Sequence, residues 1–410
     1  MGKLGIVFFL LASCICAQSQ ELTLNQYFKS ALDDGYYKSF SSQDALLQNK
    51  STYSLPWINK VQALYQDNQF NNYQTRYTLR FYPGNPFQIQ RNRDYFQGFQ
   101  VLKNMEQKLV LKEILVDRYE RVVEFWMATE LADLTLSQKK MREKIGSTMQ
   151  QLAGSSQFEA DEFLNIQLSI IEKEAEWQER ILERDVAKSK ILTFGTETIF
   201  TLPVADLITV DQIHQAIESV GKSERTEFNF RKQRAEVADL KMRLEKSNFD
   251  IGYLQTMYGS DRRIGGENSI GLAFGVALPI INQNKEDITR EKLTTIERQG
   301  ELNQFLQQEN AKVVNSRNNL KLHLSHYQKV DSLIQFVREK KLNSITALST
   351  NYNPIIELKY QEKLTQLDLL KIRIKKQILL QYISFLDSQD KLHERPLVNY
   401  LSGKMESVEN

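Results

Sequence analysis

The chain has 410 residues and a formal net charge of +2, with basic and acidic residues interspersed, so composition gives no electrostatic case for a nucleic-acid partner. Its 17 Gly and 7 Pro are few for this length, which favours long uninterrupted elements over a loop-rich fold. Both cysteines, Cys14 and Cys16, lie in the first residues, so the rest of the chain has no disulfide framework.

Residues 1–17 read as a secretory signal: Lys3 supplies the positive end, residues 4–12 an apolar run too short to span a bilayer, and Ile15-Cys16-Ala17 a cleavage site before Gln18. Two outcomes stay open. The segment is cut after Ala17, or Leu11-Ala12-Ser13-Cys14 acts as a lipobox and Cys14 carries a lipid. No later stretch is long and apolar enough to be a transmembrane helix, so any insertion into a membrane must use strands.

A short helix is expected over 24–34, with Thr23 or Asn25 as its cap. Strands are expected over 57–66 and 77–82, where Tyr77, Leu79 and Phe81 alternate with Thr78 and Arg80. If the aromatic and aliphatic face points outward, Thr78 and Arg80 point into a lumen. After Pro86 comes a very long helical stretch from about 92 to 152, in which Leu102, Met105, Leu109, Val116, Tyr119, Val123 and Trp126 follow a heptad. Roughly 60 residues at 1.5 Å each make a rod of about 90 Å, far longer than a globular helix. The rod turns at Gly154, Ser155 and Ser156, and 158–193 is expected to run back.

The same order then recurs. Leu22-Thr23-Leu24-Asn25-Gln26 matches Ile208-Thr209-Val210-Asp211-Gln212; Leu79, Phe81, Pro86, Gln90 and Asp94 match Leu272, Phe274, Pro279, Gln283 and Asp287; Arg142-Glu143-Lys144 matches Arg338-Glu339-Lys340. Three separate places in register at a shift of about 190 residues mark a duplicated unit. The second copy supplies a helix over 210–220, polar helix over 224–246, and strands over 249–258 and 269–279. A long helix over 284–348, a break at Asn351, Tyr352 and Asn353, and a return helix over 355–389 complete it. Trp57, Tyr65, Tyr82, Tyr253 and Tyr258 suit an interfacial girdle at the strand ends.

The most informative stretch is 269–279. Ile270, Leu272, Phe274 and Val276 alternate with Gly271, Ala273 and Gly275, giving one bulky apolar face and one nearly bare. A soluble strand would put polar residues on its second face; the pattern fits a strand of an outer-membrane barrel, with lipid outside and a crowded lumen inside, or a sandwich strand packed closely against another backbone.

No P-loop, H-E-x-x-H or G-x-S-x-G sequence occurs. His323 and His326 stand three apart but no third ligand stands at helical spacing. The residues point to no enzyme and no cofactor.

A doubled unit of helix, strand pair and long helical hairpin behind a secretion signal resembles the outer membrane efflux protein family of TolC-like ducts. The resemblance covers nearly the whole mature chain, and its most specific part is Gly271-Leu272-Ala273-Phe274-Gly275-Val276-Ala277-Leu278-Pro279-Ile280 leading into a long helix. It implies a mainly α fold with a small β part: 1–17 signal, 18–207 first repeat, 208–395 second repeat, 396–410 C-terminal tail. It further implies a homotrimer with four strands per chain in one barrel in outer-membrane lipid, continued by a periplasmic helical tunnel. A periplasmic adaptor and an inner-membrane transporter would be its partners in export. In that picture Ile270, Leu272, Phe274, Val276, Tyr77, Leu79 and Phe81 face lipid, and Thr78, Arg80, Gly271, Ala273 and Gly275 face the lumen. The periplasmic tips lie at residues 154–156 and 351–353. The family's second-tip acidic ring has no counterpart here, and Asp161 and Glu162 near the first tip read as a helix start favourable to the dipole. The alternatives are a periplasmic coiled-coil adaptor or structural protein, and a degenerate duct whose weak first strands no longer close a barrel.

Overall fold

In a computed structural model of the chain the described residues are 21–68, 74–154, 158–192, 199–200, 207–219, 225–261, 267–277, 284–348 and 354–409. The signal segment with Cys14, the tip residues Ser155, Ser156, Asn351, Tyr352 and Asn353, and the stretch 278–283 with Pro279 lie outside them.

The fold is mainly helical, with one small antiparallel sheet, and the two copies are legible in the order of the elements. The first copy gives α1 (Leu24–Lys29), α2 (Gly35–Gln48), β1 (Ile58–Asn68), β2 (Gln74–Pro83), α3 (Pro86–Gln151) and α4 (Ala160–Leu192). The second gives α5 (Val210–Ser219), α6 (Thr226–Lys246), β3 (Gly252–Asp261), β4 (Ser269–Val276), α7 (Lys285–Leu348) and α8 (Pro354–Ser388). The long helices have 66 and 64 residues and the return helices 33 and 35. Lengths this close in chains so different in sequence indicate one plan used twice.

The caps repeat in atomic detail. Thr23 Oγ1 accepts from the Gln26 amide at 3.3 Å while the Gln26 side chain accepts from the Thr23 amide at 2.9 Å; Thr209 and Gln212 repeat both bonds at 3.3 and 2.9 Å. Each is a capping box, which satisfies two helix-end groups reciprocally. At the strand-to-rod junction Pro86 is the first residue of α3, so the helix opens six residues earlier than the sequence suggested. Proline lacks the N–H that a first helical turn leaves unpaired anyway, and Asn85 Oδ1 accepts from Phe87 N at 3.0 Å and Gln88 N at 3.4 Å to cap the next donors.

The chain divides into two compact units that run across the repeat and not along it: residues 1–34, 111–224 and 310–410 form one, and residues 35–110 and 225–309 the other. Each copy contributes to both.

The first unit holds the helical hairpins. In it α4 packs on α3, α3 on α8 and α8 on α7, through Lys173 to Gln138 at 3.1 Å, Arg142 to Glu362 at 2.5 Å and Arg338 to Asp368 at 2.6 Å. The expected narrow heptad stripe widens near residues 118–126, where Tyr119, Val122, Val123, Phe125 and Trp126 are all buried. Two further segments cover the helix there. Phe28 of α1 stacks on Tyr119 with ring centroids 4.2 Å apart, and the Tyr119 hydroxyl donates to the Val398 carbonyl at 2.8 Å. Residues after α8 are thus folded, with Leu392, Leu397, Leu401 and Val408 buried. Their backbone reaches the second copy's cap too, since Ile208 N donates to Leu401 O at 2.9 Å.

The second unit holds the sheet, in the order β1-β2-β3-β4 with every neighbouring pair antiparallel. The strands have 11, 10, 10 and 8 residues. Among the described residues no other strand pairs with the outer edges of β1 and β4.

Candidate functional site

Register decides what this sheet can do, because paired residues of antiparallel strands share a face. One face is built of rows that cross all four strands. Tyr65, Tyr77, Tyr258 and Ile270 form the row nearest the hairpin ends; Ala63, Leu79, Thr256 and Leu272 the next; Val61, Phe81, Leu254 and Phe274 the third. Val276 follows, opposite Gly252. The seven residues expected on an outer face therefore stand together. Ile270, Leu272, Phe274 and Val276 are 83, 77, 81 and 69% exposed. Tyr65, Tyr77 and Tyr258 form a run of neighbouring rings, 5.3 and 6.3 Å between centroids, along one border of this apolar field.

The opposite face is polar. Its rows are Asn68, Gln74 and Asp261 at the hairpin rim; Gln66, Arg76, Gly259 and Ser269; Leu64, Thr78, Met257 and Gly271; Gln62, Arg80, Gln255 and Ala273; and, at the helix-proximal end, Lys60 and Tyr82 beside Tyr253 and Gly275. Thr78, Arg80, Gly271, Ala273 and Gly275 are thus brought together, as expected of one face. Arg80 organises the row. Its Nε donates to Gln255 Oε1 at 2.9 Å, its Nη1 to the Tyr82 hydroxyl at 3.3 Å, and its guanidinium lies 4.3 Å from the centre of the Tyr253 ring. The Tyr82 hydroxyl donates in turn to Gln62 Oε1 at 3.1 Å.

This network corrects the girdle. Tyr82 and Tyr253 sit on the polar face with Arg80, while Tyr65 and Tyr258 border the apolar one; Trp57 precedes β1 and is exposed. Alternation within β2 already puts Tyr82 on the face of Arg80, but the place of Tyr253 beside them depends on the pairing of β2 with β3. The bare face of β4 has its explanation in the same place. A Cβ on Gly275 would come within 2.5 Å of the Tyr253 ring, and one on Gly271 within 3.2 Å of Met257. The small residues of β4 make room for the larger side chains of β3.

A second cluster lies near the helix turns of the first unit. Ile145 and Met149 of α3, Ile166 of α4 and Ile355 of α8 form a buried apolar group, flanked by Met141, Leu152, Phe163, Ile170 and Leu358. Ion pairs surround it: Arg142 with Glu362, and Glu162 with Lys359. Glu162 of the first α4 turn is thereby engaged by α8, whereas Asp161 is exposed. Gly154 adopts φ +95°, a left-handed turn conformation that glycine takes without strain, just after α3.

Among the described residues no helix is long and apolar enough to cross a membrane, and no group of three His, Cys, Asp or Glu side chains could hold a metal ion.

No protein-family model matches the chain, and no curated protein matches it. Solved structures do. The open state of the Neisseria gonorrhoeae MtrE outer membrane channel superposes with a TM-score of 0.65 at 10% identity, covering 93% of this chain and 90% of that one. The outer membrane protein VceC of Vibrio cholerae gives 0.62 at 11% identity, with coverage of 90% and 96%. The Campylobacter jejuni CmeC outer membrane channel gives 0.57 at 10% identity, with coverage of 94% and 88%. Such identities speak for the fold, and over nearly its whole length this chain has the fold of TolC-like outer membrane channels.

Proposed function

We propose that this chain is the outer-membrane duct of a tripartite export system, passing substrates received from an inner-membrane pump through a periplasmic adaptor. The observation that carries the reading is the two-faced sheet. Leaving Ile270, Leu272, Phe274 and Val276 in water forfeits about 1.5–3 kcal/mol for each side chain that could be buried. Four of them forfeit an amount on the scale of a whole domain's net stability, about 5–15 kcal/mol. A lipid surface removes that cost. The strand lengths suit it: ten residues at about 3.4 Å each, tilted by about 40°, reach about 26 Å, against an apolar band of about 25 Å.

The open edges set the second condition. Each unpaired backbone group in hydrocarbon costs several kcal/mol, so the sheet can enter a bilayer only when its edges are closed. Because the four strands alternate in direction, β4 of one chain can pair antiparallel with β1 of the next, and a ring of copies closes without a break. Three copies give the trimer that the fold's likeness supports. Conduction needs no catalytic group, and the duct acts by providing a path. The apolar cluster and ion pairs that join α3, α4 and α8 near the tips are the contacts an adaptor would have to rearrange to open the periplasmic end.

Heat-modifiable electrophoresis of isolated outer membranes tests the reading. The expected result is a band of about three subunits without boiling that collapses on heating. A monomer confined to the soluble periplasmic fraction would replace the duct with a coiled-coil adaptor or scaffold.

A further inference from the structure

The geometry points to a barrel lumen lined by an excess of cations, so that the duct favours anionic cargo. This inference rests on the duct reading above and adds to it a substrate class.

The polar face of the sheet carries Lys60, Arg76 and Arg80, one in each of three of its five rows. No Asp or Glu stands in any of those three rows. One acidic position shares the face: Asp261, opposite Gln74, stands in the rim row beyond Arg76. Asp67 is on the apolar face, where it accepts from the Tyr65 hydroxyl at 3.1 Å.

What holds Arg80 is the more telling point. Its three described contacts are an amide oxygen, a hydroxyl and an aromatic face. All are neutral. A carboxylate in their place would fix the side chain equally well and cancel its charge, whereas this arrangement fixes the guanidinium and leaves the charge standing. Lys60 likewise lies 5.6 Å from the centre of the Tyr82 ring, and Arg76 is exposed. Repeated in each subunit around a water-filled bore with low-dielectric walls, such a belt focuses a positive potential. It raises the local concentration of anions and excludes cations. Carboxylates, phosphates and sulfates of a size the bore admits share the chemistry that belt would favour.

The test is the reversal potential of purified trimer in planar bilayers across a KCl gradient, with tripolyphosphate then added on the hairpin side. Wild type is expected to pass chloride in preference to potassium and to be blocked by tripolyphosphate. The combined K60Q, R76Q and R80Q variant should lose both, its anion-to-cation ratio falling by about threefold or more. R80K keeps the charge without the bidentate geometry and should retain the preference, which separates charge from packing. If the combined variant does not form a heat-modifiable trimer, R76Q alone is measured, because Arg76 takes no part in the hydrogen-bonded network; its ratio should fall in the same direction. A wild-type trimer that conducts but prefers cations, or a ratio unmoved by removing the charges, would overturn the inference and leave the duct intact. A wild-type chain that forms no trimer and no conductance would overturn both.

Discussion

The two strand pairs follow one plan but divide its work. Copy one, β1 and β2, carries most of the polar side chains of the polar face: Lys60, Gln62, Arg76, Arg80 and Tyr82. Copy two puts Tyr253, Gln255 and Met257 on β3 and only Gly271, Ala273 and Gly275 beside them on β4. The apolar faces, in contrast, match row for row. A duplicated unit can therefore keep one face apolar on both copies while the polar face differentiates, one half supplying most of the charge and the other supplying room. The helical parts show the opposite tendency, with near-equal lengths and the same capping box in each copy.

The most damaging way to break this comparison is on the shared outer face. Leu272→Arg or Phe274→Arg should cost about 2–4 kcal/mol at mid-bilayer depth and prevent assembly. The same change at Leu79 in copy one should do as much, since the two residues stand in one row. Trimer yield from outer membranes measures it. Unimpaired assembly of Leu272→Arg would contradict the assignment of that face.

The room left by copy two is tested next. Gly275→Val puts a branched side chain where the Tyr253 ring lies and should destabilise the trimer by about 1–3 kcal/mol, the usual cost of overpacking. Combined with Tyr253→Ala the loss should shrink, and a double-mutant cycle on trimer dissociation temperature reads the coupling. Strict additivity would mean that the two residues do not compete for space.

The equality of the helical parts predicts a smaller, symmetric effect. Thr23→Ala and Thr209→Ala should each cost about 1 kcal/mol, by loss of equivalent capping boxes. Thermal unfolding of the solubilised protein should show similar shifts for the two; a loss at one cap alone would place the copies' helical parts in different roles.

The smallest effect concerns a contact between copies in the helical unit. Lys112 of α3 lies 3.2 Å from Asp387 and 3.1 Å from Asp390, at and beyond the end of α8. Burial disfavours its ammonium, but the two carboxylates together outweigh that and hold its pKa above the ordinary lysine value. A raised folded pKa means that the contribution is complete below the unfolded value of about 10.4 and is lost as pH rises through the folded value. The stability gap between wild type and Lys112→Met should stay constant up to about pH 10 and narrow only above it. Narrowing near neutral pH would contradict that sign.

Much of the plan was legible because it rests on period and punctuation. Alternation over Ile270, Leu272, Phe274 and Val276 marks a strand whatever its partners, and a proline-free run marks a rod. Thr23 stood beside Asn25 as a cap candidate, and the bonds to Gln26 decide for Thr23. What depends on partners was hidden. No local pattern told that Tyr253 would lie beside Arg80, since pairing register is a property of two segments. The bareness of β4 gained a cause only when Tyr253 was seen over Gly275. The long helix was expected to open only after Pro86, because the role of Pro86 as a first helical residue goes with Asn85 capping the next donors. The burial around Tyr119 comes from α1 and from residues after α8, distant in sequence and joined only by folding.

The assignment of the two faces is tested most directly by their access to water in the intact outer membrane. Cys14 and Cys16 are the chain's only cysteines, and the parental protein serves as their control, so single cysteines can be placed at Thr78 and Ala273 on one face and at Leu79 and Leu272 on the other. A charged, membrane-impermeant maleimide should label T78C and A273C in assembled trimers, and should reach L79C and L272C only after denaturation. Equal labelling of L272C and A273C in the folded trimer would show that both faces meet water, and the barrel wall would have to be abandoned.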